Sequence, residues 1–268
     1  MTQRDKAVLF RHLHHGPSIL RVANVWDAAS ARIVERAGFP VVATGSAGVS
    51  FSLGYADSED LPLDEMLGQV RRITRVVSVP VSADLLAGYD DVEKTAAELI
   101  AAGGAGLNLE DYQRGELVPV ETQVEKIRAV RSTGERLGVP LVINARCDIY
   151  LEQIGEAGTR FDRTVERLLA YKEAGADCLF APGVRDEETI AQLTQALRFP
   201  LNVLAGPGTP PVSRLQQIGV ARVSLGSGPM RAVMGLMNAI AAEFRDAGTY
   251  GRMLESAISY PDANQLFR

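Results

Sequence analysis

Short apolar runs and longer amphipathic stretches alternate eight times along this chain. The apolar runs are SILRVAN, PVVAT, VPVSAD, AGLNLE, PLVINAR, DCLFAP, PLNVLA and ARVSLG. Each is too short for a buried helix and too continuous for a strand with one wet face. They read as strands buried on both faces, the pattern of a parallel sheet covered by helices. Between them SARIVERA, DEMLGQVRRITRVV, DVEKTAAELIAA, VETQVEKIRAVRSTGERL, FDRTVERLLAYKEA, DEETIAQLTQAL and VSRLQQI place apolar residues at i, i+3 or i+4, the spacing of a helix with one face on a core. Gly38, Gly103, Gly175 and Gly219 stand where such helices end in a left-handed residue. Eight β–α alternations predict an α/β fold, a closed (β/α)8 barrel of the TIM type. The competing arrangement is an open doubly wound sheet. Its nucleotide-binding form has no support, because neither GxGxxG nor GxxxxGK[ST] occurs.

The stretch from Pro229 to Arg268 exceeds the single helix a barrel needs after its last strand. MRAVMGLMNAIAAEFRDAG is apolar on one face, and GRMLESAIS forms a second, shorter helix. These helices either cover the floor of their own barrel or pack on a neighbouring subunit. The surplus favours the neighbour, with residues 1–268 forming one barrel domain.

Composition leaves this picture intact and narrows the partners. At 268 residues, 46% apolar and 23% charged, the chain buries a sizeable core as one domain. A net charge of -5 argues against a phosphate-backbone partner, so no nucleic acid is expected. No apolar run reaches the roughly 18 residues of a membrane span, and MTQRDKAVLFRHLHHG does not read as a leader, so a cytoplasmic protein is expected. Cys147 and Cys178 are too few for a disulfide framework and are expected as buried thiols.

Three of the strands end in charge, where barrel enzymes carry their chemistry: VPVSAD in Asp84, AGLNLED in Glu110 and Asp111, and PLVINARCD in Arg146 and Asp148. His12, His14 and His15 all precede the first strand, so the barrel mouth has no imidazole to act as base or zinc ligand. No GxSxG elbow is present, and Ser46 lies in TGSAGVS, which reads as a turn of small residues. Carboxylates, one arginine and backbone amides suit an oxygen-loving dication and an anionic, carbonyl-bearing substrate. Asp84 is a metal ligand on this reading, or else the cap of the following loop. Glu110 and Asp111 are adjacent on an extended segment and point opposite ways. Glu110 is therefore taken as the residue facing the barrel axis, and Asp111 as a loop cap or a supporting group. Arg146 either holds a carboxylate with two parallel hydrogen bonds or pairs with Asp148 or Glu110. Asp57, in SLGYADSED, is a site acid or a solvated turn residue.

On these residues the chain resembles the phosphoenolpyruvate mutase/isocitrate lyase superfamily over nearly its whole length. NVWDAASARIVERAGFPVVATGSAGVS, LGYADSE, VSADLLAGYDD, GLNLED, INARCDIYL and GVARVSLGSGPMRA carry the resemblance in order and spacing. It implies a (β/α)8 barrel that exchanges its last helix with a neighbour, in a homodimer or homotetramer. It also implies a Mg2+ ion, or Mn2+ in its place, holding a small 2-oxo acid or the enolate derived from it. The resemblance places the amides of Thr44, Gly45 and Ser46 around the enolate oxygen and Asp84 directly on the metal. Asp57 and Glu110 would hold the metal largely through water, and Arg146 would hold the substrate carboxylate.

The departures from the family bear on the substrate. Leu86 stands where the family carries a second acid two residues after the metal aspartate. DYQRGELVPVETQ replaces both the KKCGH-like cysteine loop of the isocitrate lyases and the Lys- and Asn-bearing loop of the phosphonate mutases. The expectation is a lyase or decarboxylase of a small 2-oxo carboxylic acid acting through a Mg2+-stabilised enolate. A barrel that binds 2-oxo acids without turnover and a C–P bond hydrolase or mutase are the alternatives. Asn202, Leu204 and Pro182 are expected to shape the substrate pocket.

Overall fold

The computed structural model describes residues 1–268. Eight parallel strands close into a barrel: β1 (Leu20–Val25), β2 (Val42–Thr44), β3 (Val81–Asp84), β4 (Gly106–Glu110), β7 (Val142–Arg146), β8 (Cys178–Phe180), β9 (Leu201–Leu204) and β10 (Arg222–Ser224). Each strand pairs with its neighbours in chain order, and β10 closes on β1 through Leu20 opposite Arg222. The helices α2 (Ala28–Arg36), α4 (Leu63–Val76), α5 (Val92–Ala101), α6 (Val120–Arg136), α7 (Arg160–Glu173), α8 (Glu187–Leu197) and α9 (Val212–Gln217) form the outer ring. All eight apolar runs became barrel strands. The four glycines expected to close helices have positive φ: 86° at Gly38, 88° at Gly103, 106° at Gly175 and 89° at Gly219.

Three elements lie outside the sequence reading. A helix, α1 (Gln3–Leu13), precedes β1 and plugs the barrel floor, with Phe10 buried against Leu20, Val22, Ala43 and Val142. Gly106 makes room for it, since a Cβ there would sit 2.8 Å from the Phe10 ring and 2.6 Å from the Val142 carbonyl oxygen. TGSAGVS is not a turn: β2 runs straight into α3 (Ser46–Leu53). The segment after Glu110 folds into a hairpin, β5 (Tyr112–Gln113) with β6 (Glu116–Leu117). Arg114 (φ 53°) and Gly115 (φ 89°) form its two-residue turn, both in the left-handed region that such a tight hairpin requires.

Beyond β10 the chain forms α10 (Gly228–Ala247), α11 (Gly251–Ser256) and α12 (Tyr260–Gln265), one helix more than expected. α10 buries no residue; Met237 (62% exposed), Phe244 (67%) and Leu254 (62%) stand free of the barrel. The chain end returns to its own barrel, where Arg32 Nε donates to the Leu266 carbonyl at 2.6 Å. Cys147 and Cys178 are buried free thiols, as expected. No helix is long and apolar enough to cross a membrane.

Candidate active site

Side chains that alternate along the barrel strands put Asn24, Asp84, Asn108, Glu110, Asn144, Arg146 and Ser224 on the axis side of their strands' carboxyl ends. Two adjoining cavities open there and share Asp57. The inner one, about 180 Å³, is lined by Asp84, Asn108, Arg146, Asn24, Ser46 and Ser224 among others. At roughly 30 Å³ per water, that is space for about six waters, which suits a small acid. The outer cavity, about 450 Å³, is bounded by Glu110, Leu86, Tyr89, Glu59 and the hairpin.

Asp84 is buried at the end of β3, and its amide donates to Thr44 Oγ1 at 2.9 Å. Its Oδ1 is buried without a hydrogen-bond partner. A desolvated anionic oxygen with no donor is costly unless a cation or another donor meets it. Arg146 is gripped from both sides, Nη1 at 2.7 Å from Glu110 Oε2 and Nε at 2.7 Å from Asp148 Oδ1, and it lies over the Phe180 ring at 5.9 Å. The ion pairs left open by the sequence therefore both exist, and Arg146 lines the cavity at the same time.

Burial pushes Glu110 well above the usual carboxylate range, and Asp148, Asp84 and Asp57 add to the shift against the pull of Arg146. Burial likewise raises Asp148 to about 6. One guanidinium cannot offset two buried carboxylates crowded by further acids, so both shift upward. Burial alone would lower the Arg146 pKa, but Glu110, Asp148 and Asp84 outweigh it and raise it further. Asp57 is raised by enclosure in the cleft and by Asp84, with the Ser46 hydroxyl and Arg146 opposing.

Other expected residues fall differently. Glu110 faces the cleft, whereas Asp111 is fully buried behind it against Arg167 and Tyr171. The Gly45 amide donates to the Val25 carbonyl at 3.3 Å, and Thr44 is buried beneath the cavity. Gly45, Ser46 and Ala47 all line the cavity, and Ser46 and Ala47 begin α3, where the first amides have no acceptor one turn back. Asn202 does not reach the cavity: it is fully buried and donates from Nδ2 to Ser224 Oγ at 3.2 Å. Leu204 and Pro182 do line it. Leu86 is buried with φ 54° and borders the outer cavity.

Asn24 was missed. Its Oδ1 accepts from the Leu225 and Gly226 amides at 2.9 and 2.8 Å, and its Nδ2 donates to the Thr44 carbonyl at 3.1 Å. It thereby ties three strand ends together at the cavity wall. The signal is a polar residue near the close of the first apolar run. No three His, Cys, Asp or Glu side chains converge closely enough to hold a metal ion by themselves.

Known proteins share this fold. The family model described as phosphoenolpyruvate phosphomutase matches residues 10–245. An oxaloacetate decarboxylase of Rhodopseudomonas palustris is 36% identical over 220 residues, 79% of this chain and 73% of that protein. A crystal structure from Burkholderia cenocepacia superposes with a TM-score of 0.91 at 35% identity, over 99% of this chain and 96% of the other. The crystal structure of 2,3-dimethylmalate lyase superposes with a TM-score of 0.85 at 26% identity, over 97% and 94% of the two chains. A polar barrel mouth on this fold and a family match across most of the chain agree: the protein belongs to the phosphoenolpyruvate mutase/isocitrate lyase superfamily.

Proposed function

We propose that the protein is a decarboxylase of oxaloacetate or a closely similar small 2-oxo dicarboxylic acid. The observation that carries this reading is the two-sidedness of the inner cavity. Its β1–β4 side presents Asn24, Ser46, Asp57, Asp84 and Asn108, and its β7–β9 side presents Leu151, Phe180, Pro182 and Leu204. Arg146, on β7, stands where the two meet. The 2-oxo acid end of the substrate suits the polar side, with Arg146 on its carboxylate and the Ser46 and Ala47 amides on its carbonyl oxygen. The second carboxylate then lies against the apolar wall. A charge there is poorly solvated, whereas neutral carbon dioxide is not, so the wall favours the transition state over the bound substrate.

The C3–C4 bond breaks, carbon dioxide leaves, and the electron pair moves into C2–C3 to give the enolate of pyruvate. The fixed amides and Arg146 meet the developing oxyanion without reorganising. A proton returns to C3 and completes pyruvate. The partnerless Asp84 oxygen fits an oxygen-seeking dication, which Asp84 would hold with Asp57 and Glu110 in support. When bound, Mg2+ would polarise the substrate carbonyl oxygen. The hairpin carries no cysteine, which disfavours isocitrate-type cleavage. The bare apolar face of α10 and α11 is read as the surface a second copy covers, in a dimer or tetramer with exchanged helices.

Pyruvate release from oxaloacetate with Mg2+, followed by lactate dehydrogenase, tests this reading. Turnover is expected, and Arg146→Ala is expected to lower kcat/KM by about 10³-fold, as removal of an oxyanion-stabilising donor does. An Arg146→Ala protein that is folded and fully active would overturn it.

A further inference from the structure

Behind the cleft, Asp111 uses every polar atom it has. Its amide donates to the Arg146 carbonyl at 3.1 Å, and its carbonyl accepts from the Val118 amide at 2.9 Å. Oδ1 accepts from the Asp148 amide at 2.9 Å. Oδ2 accepts from Arg167 Nε at 2.7 Å and from the Tyr171 hydroxyl at 2.6 Å. Arg167 also donates from Nη2 to the Val118 carbonyl at 2.5 Å. Asp111 is fully buried and Arg167 nearly so, and neither lines the cavities.

These bonds converge on three pieces of the site. Asp111 follows Glu110, fixes the main chain of Arg146 and Asp148, and closes the base of the hairpin that bounds the outer cavity. Glu110 and Asp148 are the two carboxylates that grip Arg146. We infer that Arg167, one turn from Tyr171 on α7, is a positioning residue. Through Asp111 it holds Glu110 and Asp148 in register around Arg146, and through Val118 it anchors the hairpin. A buried carboxylate accepting from three groups, the Asp148 amide and two side chains of α7, needs a counter-charge of fixed geometry, and a planar guanidinium supplies two directed donors where an ammonium supplies one point charge. The inference rests on Arg146 being the substrate-binding group proposed above.

The test is Arg167→Lys, which keeps the charge, alongside Arg167→Met and Tyr171→Phe. Thermal unfolding, kcat, KM and the affinity for oxalate, a planar mimic of the enolate, are measured on each. Arg167→Lys is expected to stay folded, with kcat about 10-fold or more below wild type and oxalate binding weakened about as much, the scale of supporting-residue losses. Tyr171→Phe, which keeps the guanidinium, should retain more activity than Arg167→Lys. Nitrogen-15 resonances of the Arg146 side chain give a readout free of substrate, and the Arg146 Nε–H signal is expected to shift and exchange faster in Arg167→Lys. A folded Arg167→Lys protein with wild-type kcat, oxalate affinity and Arg146 resonance overturns the inference. Wild-type protein that neither decarboxylates oxaloacetate nor binds oxalate overturns the proposed function instead, and the Arg146 resonance still decides the positioning role.

Discussion

Leu86 holds a left-handed backbone conformation two residues beyond Asp84, where an aspartate fits more readily than a leucine. Leu86→Asp therefore restores a carboxylate near the proposed metal at a modest loss of buried apolar surface, about 1–2 kcal/mol. The expected outcome is a Mg2+ dissociation constant about tenfold lower by calorimetry without substrate, since ligand charge count sets the affinity of such sites. An unchanged constant would place residue 86 out of reach of the ion. His14 governs a different property. It is buried, and burial first, then Arg222, drives its pKa down to about 3, while Nδ1 bonds to the Phe10 carbonyl at 2.9 Å. The unfolded chain takes up a proton near pH 6.5 that the folded chain refuses until about pH 3. Its contribution to stability is thus present above pH 6.5 and is lost as pH falls toward 3, at roughly 1.4 kcal/mol per pH unit. Asp148 has the opposite sign, because its raised pKa makes the folded state the better proton binder between about 4 and 6. Total stability consequently changes less than either group alone implies. The difference between wild type and His14→Leu isolates the histidine, and urea midpoints at pH 6 and pH 4 should show the variant gaining on wild type toward acid.

Elements bring these residues into reach through their ends. α2, α5 and α8 start on Asp27, Asp91 and Asp186, whose side chains accept from the amide three residues on at 2.7, 2.9 and 2.8 Å. Such caps set where each loop over the cavity stops. The loop from β8 to α8 passes so close to the segment after β7 that a Cβ on Gly183 (φ 90°) would sit 2.7 Å from the Leu151 nitrogen and 2.8 Å from its Cα. Both atoms are backbone and cannot turn aside. Gly183→Ala is expected to cost about 2–3 kcal/mol in urea unfolding, through strain at positive φ and displacement of Leu151 and Pro182 from the apolar wall. Unchanged stability and kcat would show that this wall adapts. The hairpin was legible only as a short segment lacking lid residues. Its pairing depends on Arg114 and Gly115 both turning left-handed, and the first is not a residue that advertises such a turn.

At the scale of the whole molecule, the exposed apolar residues of α10 and α11 predict association. Sedimentation is expected to show a species at least twice the 28.8 kDa chain, and Phe244→Asp to shift it toward monomer. A wild-type monomer at micromolar concentration would remove the exchanged-helix reading. The barrel itself was readable because burial on both faces forces continuous apolar runs, and helix ends need glycine; both are local demands that leave local marks. Asp84, Glu110 and Arg146 were readable for the same reason, as charges that interrupt those runs at their carboxyl ends. Tertiary structure alone decided that Arg146 is held by two carboxylates, that a helix rather than a turn begins at Ser46, and that Asn202 lies beneath the cavity instead of in it. Those outcomes depend on which side chains from distant strands meet across the barrel axis, and on where β2 gives way to α3. Distances between strands are set by closure of the sheet, and no single segment encodes them.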